Sequence, residues 1–169
     1  MILATHIAVA AIVTKPVFQN PGLIFLFAVF SHYLFDTIPH WDYQLNSVKK
    51  DENDTLINAT IIPNKKLLGN DLLKNLIDFL LGAAIVVLLI RPSLNVKDIA
   101  PIIALISGAV LPDFITGLNL VWKKFPTMEL TKFHHFIHAK NRRLNKKPLL
   151  GISLTLLMML AAILAYWYS

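Results

Sequence analysis

The sequence predicts an all-α integral membrane protein, a bundle of about five helices, and three observations carry that expectation. Hydrophobic residues make up 56% of the 169 positions and charged residues only 15%, against about 45–50% and about 25% in a typical soluble domain. The mean hydropathy is +0.60. Residues 16–35 and 148–169 contain no Asp, Glu, Lys or Arg, and each run is close to the ~20 residues a helix needs to cross a ~30 Å hydrocarbon core. The apolar runs are continuous, whereas a barrel strand alternates. Backbone polar groups in lipid must be satisfied internally, so continuous runs imply helices. The chain reads as a single membrane-embedded domain, 1–169.

The elements follow in order. A short apolar segment at 2–13 reads as a tilted or partly interfacial span. Proline and glycine at 16–22 separate it from a second segment, 22–38, that stops near Pro39. A polar stretch at 43–70 reads as a loop, with 64–69 as a turn. The third segment, 72–90, carries Asp78 and ends at Arg91-Pro92. The fourth, 99–122, is interrupted by Gly108 and by Leu111-Pro112-Asp113. A basic stretch, 123–147, precedes the fifth, 148–168. The start of the chain lacks the basic region of a signal peptide and reads as mature sequence.

Charge orients the bundle. If the segments alternate, stretches 43–71 and 123–148 share one side and hold twelve Lys or Arg, while 14–21 and 91–98 hold three. Basic loops stay in the cytoplasm, which predicts a cytoplasmic N-terminus and an external C-terminus. The net charge of +6 is then a topology signal, and no nucleic-acid partner is expected.

This topology gathers every histidine at one membrane face. His6 opens the first segment; His32, Asp36 and His40 close the second; Asp113 lies late in the fourth; His134, His135 and His138 lie in the basic stretch. Residues four apart share a helix face, so His32 with Asp36, and His134 with His138, are spaced for ligation. Asp42 follows His40 by two. The chain has no cysteine, so a metal would be held by histidine and carboxylate, a donor set suited to zinc, manganese or non-haem iron. Each piece alone has a plainer reading: histidines at an interface, a basic helix at lipid headgroups, Asp113 as a cap restarting a broken span, Asp78 as an interhelical contact. Their convergence favours a metal site, with one ion or two.

The Thr5-His6 start, the His32…Asp36…Pro39-His40…Asp42 run, the Leu111-Pro112-Asp113 triplet and the later histidines together resemble the membrane-bound metal-dependent hydrolases of the YdjM/YbcI type (the LexA-binding, inner-membrane-associated hydrolase family). That group is in turn similar to the helical zinc-dependent phospholipase C and P1 nuclease enzymes. The resemblance spans Thr5 to about Arg143 and implies His6, His32, Asp36, His40, Asp113, His134 and His138 as metal ligands. One departure is clear: the family carries His-Arg followed by Thr-His, whereas this chain reads Phe133-His134-His135-Phe136-Ile137-His138. Which of the three histidines bind is therefore open.

The expected function is a membrane-bound metal-dependent hydrolase of the inner membrane, using a metal-activated water at the cytoplasmic face on a phospholipid or other phosphoester. Asp36 and Asp42 are candidates for general base or bridging ligand. Arg142 is a candidate phosphate clamp, because the guanidinium fork matches phosphate oxygens. The alternatives are a non-catalytic metal-binding or transport protein, and a basic membrane-anchored interaction protein.

Overall fold

A computed structural model describes residues 2–93, 95–138, 144 and 147–168. It is an all-α bundle. In chain order the helices are α1 (Leu3–Thr14), α2 (Pro21–Asp36), α3 (Lys65–Ile90), α4 (Val96–Asn119), α5 (Thr127–His138) and α6 (Pro148–Tyr168). A 3-10 turn, Lys15–Val17, joins α1 to α2, and a two-residue antiparallel pair, Val48–Lys49 with Thr60–Ile61, closes the long loop. Helices α3, α4 and α6 are long and apolar enough to cross a membrane; α1 and α2 are shorter apolar helices.

The shortest apolar helix is the innermost. From Ala4 to Ala11 every residue of α1 is buried, with α2, α3, α4 and α6 packed around it. A helix apolar all round belongs inside a bundle, and α1 lies there. Lipid tails are as apolar as leucine, so close packing of small residues does the work that water exclusion does elsewhere. Two glycines mark close approaches between helices. A Cβ on Gly82 of α3 would lie 2.9 Å from the Ala4 Cα, and one on Gly108 of α4 would lie 2.6 Å from the Phe25 carbonyl oxygen of α2. Ile7, Ala10 and Ala11 then meet Ile24, Ala28, Val86, Ile102, Leu105 and Ala109 in one cluster.

Several boundaries differ from the sequence reading, each for a local reason. Helix α3 begins at Lys65, because the Asn64 side chain accepts from the backbone N–H of Lys66 and Leu67; the expected turn at 64–69 is a capped helix start. Helix α4 runs unbroken through Pro101 and Pro112, as membrane helices can when neighbours re-satisfy the freed backbone groups. Asp113 is therefore mid-helix and restarts nothing. Helix α2 stops at Asp36, so His40 approaches from the loop. The basic stretch contains a sixth helix, α5.

Asp78 joins two helices. Its carboxylate accepts from the first backbone N–H groups of α1, Leu3 at 2.6 Å and Ala4 at 3.1 Å. A side chain on α3 thus caps α1, which has no cap of its own. The 37–64 loop is clamped over the same end. Asp71 accepts from the Ser47 backbone N–H and hydroxyl at 2.7 Å, and Asn119 donates to the Ile57 carbonyl at 2.9 Å.

Candidate metal centre

Asp36 sits at the last residue of α2 and is 0% exposed. Five imidazoles from four chain segments surround it. Around Oδ1 lie Nε2 of His6 at 3.2 Å, of His138 at 3.4 Å and of His40 at 3.8 Å. Around Oδ2 lie Nε2 of His134 at 2.8 Å and of His32 at 3.2 Å. Asp113 adds a second carboxylate, its Oδ1 3.8 Å from Nε2 of both His32 and His134. Asp42 adds a third, with Oδ1 3.3 Å from His40 Nε2 and Oδ2 3.8 Å from His138 Nδ1.

The far sides of the rings decide which nitrogen carries the proton. His32 Nδ1 is 2.6 Å from the Ala109 carbonyl oxygen and His40 Nδ1 is 2.7 Å from that of Ile38. A carbonyl can only accept, so both rings hold their proton on Nδ1. His134 Nδ1 is 2.9 Å from the Thr116 hydroxyl, which itself donates to the Pro112 carbonyl, so His134 also donates there. In the neutral rings the three Nε2 atoms are then bare lone pairs aimed at carboxylate oxygens. Two acceptors face each other stably only with a cation or a proton between them. Among the described residues, Nε2 of His6, His32 and His40 makes no hydrogen bond. Metal-bound histidines are held in this way, with the second ring N–H on a carbonyl or hydroxyl.

The donors form three overlapping groups, each with ligand atoms within 4.8 Å of one another: His6, His32 and Asp36; His32, Asp113 and His134; and Asp36, His40 and His138. Asp36 belongs to two and His32 to two. The two oxygens of Asp36 face different histidine sets, which is the arrangement of a carboxylate that can bridge two ions. These buried His and Asp groups can hold a metal ion. Nitrogen and oxygen donors without sulfur match the preferences of zinc and similar divalent ions.

Of the sequence candidates, His6, His32, Asp36, His40, Asp113, His134 and His138 all enter these groups, and Asp42 lies at their edge. His135, on the neighbouring row of α5, is in none of them. Arg142 lies outside the described residues. The two rim carboxylates keep contact with the exterior, with side-chain exposures of 34% for Asp113 and 30% for Asp42. Burial opposes ionisation of Asp42, but its contacts with His40 and His138 hold its carboxyl below the usual range. Burial pushes His138 down to about 4 in spite of Asp36 and Asp42 beside it, which leaves a neutral ring near pH 7.

Sequence reasoning missed the residues that hold the ligands. Thr116, the Ala109 carbonyl and Tyr33 carry no motif. Tyr33 stands edge-on to His32 and His134, with ring centroids 5.9 and 5.7 Å away. Its position one residue after His32 was the available signal. Comparison with family models, with curated proteins and with solved structures gives no match.

Proposed function

We propose that the chain is a membrane-bound, metal-dependent hydrolase acting on a phospholipid or other phosphoester, similar in its chemistry to the YdjM/YbcI-type enzymes its motifs resemble. One observation carries the reading: a wholly buried carboxylate faces five imidazole Nε2 atoms, three of them on rings whose Nδ1–H is engaged on the far side. Burying so much acceptor charge is costly without positive charge to balance it, and polar groups kept inside a membrane bundle mark function by default.

Zinc is the ion the donor set suits best, in one or two positions sharing Asp36. A divalent ion bound there supplies Lewis acidity and lowers the pKa of a coordinated water toward about 7. The chain's own groups divide the remaining work. Asp36 bridges or balances charge from the interior. Asp42 and Asp113, reaching the exterior, are placed to orient the water and accept its proton. Arg142, four residues after His138 in sequence, is the candidate clamp for a phosphate. The excess of Lys and Arg in the loops at this end supports a cytoplasmic position for it, at an inner membrane.

The test is metal analysis of the purified protein with hydrolysis assays on phosphodiesters, phospholipids and carboxylic esters. The expected result is bound divalent metal, activity abolished by a chelator, and restoration by zinc. Hydrolysis indifferent to chelation, or a metal-loaded protein inert on all three substrate classes, would refute the reading.

A further inference from the structure

Helix α5 has three faces. Thr127, Thr131 and His134 are buried against the bundle, with His138 following on the same side. Leu130, Phe133 and Ile137, at i, i+3 and i+7, line a second face, and Phe133 is 51% exposed there. Lys132, paired with Glu129 at 2.7 Å, and the half-buried His135 occupy a third, and Phe136, on the outward side, is 68% exposed. A helix that exposes apolar side chains beside a charged flank has the pattern of one lying in a membrane interface.

The apolar flank continues an exposed apolar surface on α2. On α2, Leu26, Phe30 and Leu34, at i, i+4 and i+8, are exposed. Tyr33 sits beside them and meets Phe133 edge-on, centroids 5.1 Å apart. The exposed aliphatic face of α2 therefore runs through the Tyr33–Phe133 pair onto α5. Behind that pair lie the His32 and His134 rings, and Asp113, touching both, keeps a third of its side chain open. Helix α5 leans chiefly on α4 and touches α2 less, so the α2–α5 seam is the looser one.

We propose that α5 is an in-plane interfacial helix seated in the bilayer through Leu130, Phe133 and Ile137, and that the α2–α5 seam closed by Tyr33 and Phe133 is a lateral doorway through which a phospholipid of the surrounding leaflet brings its headgroup to the site. The doorway rests on the metal reading above; the placement of α5 does not.

The chain lacks cysteine, so one introduced cysteine labels one position. The full-length protein is reconstituted in phosphatidylcholine vesicles with a minority of phosphatidylglycerol, with nitroxides at Phe133→Cys or Lys132→Cys. The label at 133 is expected to collide more with oxygen than with an aqueous nickel chelate, at a depth of about 5–10 Å, and the label at 132 to show the reverse. Equal aqueous exposure of both overturns the in-plane helix. The doorway is read separately, from the unlabelled protein loaded with Mn²⁺. Bound Mn²⁺ that broadens the lipid ³¹P signal well beyond an Asp36→Asn control supports it. Bound Mn²⁺ without broadening overturns the doorway and leaves the metal reading standing; no bound Mn²⁺ overturns both.

Discussion

The two ends of the bundle are built differently. At the histidine end, α1, α2, α4 and α5 bring four imidazoles and two carboxylates into one cluster, and the 28-residue stretch from Thr37 to Asn64 adds the fifth imidazole, His40. At the other end the connections are short and their contacts are those of anchors. Lys15 donates to the Tyr166 carbonyl at 2.9 Å and lies 4.6 Å from its ring centroid. Arg91, in left-handed backbone conformation at φ 50°, ends α3 with its guanidinium 5.2 Å from the Trp167 ring centroid. Both ends hold charge near a membrane surface, yet only one buries it. Exposed charge at a helix end is inexpensive, whereas buried polar groups are retained when something binds them.

Breaking the first end should cost metal, and breaking the second should not. The largest effect is expected from His134→Ala, which removes the ring closest to Asp36. Metal affinity should fall at least about ten-fold, the scale of lost ligands or their supports, by equilibrium dialysis. Unchanged affinity would remove α5 from the site. His138→Ala should act in the same direction, and His135→Ala on the same helix should leave affinity at the parent value. A drop for His135→Ala equal to that for His138→Ala would mean that α5 is rotated from the position described.

Smaller effects separate architecture from chemistry. Asp78→Asn keeps the shape of the α1 cap but weakens its charge–dipole attraction, at a cost of about 0.5–1 kcal/mol. Thermal melts should move down slightly while metal content stays constant; lost metal would mean that α1 needs the charge to place His6. At the far end Arg91→Gln removes one cation–π contact, at about 0.5–1 kcal/mol. Its metal content and activity should match the parent, and a loss would show that the two ends are coupled.

How much of this was legible depends on whether a local rule was enough. His32 and Asp36 share a helix face by spacing alone, and their joint placement with His6 and Asp113 followed from helices that alternate in direction. The bundle itself was legible because uncharged runs of membrane length admit few other structures. His40 was harder, since α2 ends at Asp36 and the loop, held by the Ile38 carbonyl, supplies its direction. The unbroken course of α4 through Pro112 depends on neighbours that no local rule describes. The choice among His134, His135 and His138 depended on how α5 is rotated against α4, a tertiary property. Thr116 and the Ala109 carbonyl, which set the tautomers, had no signal in sequence, because any residue of suitable size and hydrogen-bonding capacity can occupy such a place.

The function proposed for the histidine end depends on the Asp36 cluster holding a metal. The most direct measurement is metal content per chain, by elemental analysis, of the parent and of Asp36→Asn purified side by side in zinc-containing buffer. Up to two ions per parent chain and at least about a ten-fold lower affinity in the variant are expected, with both proteins inserted and helical. Equal metal in the two, or none in the parent, would contradict a metal centre at Asp36.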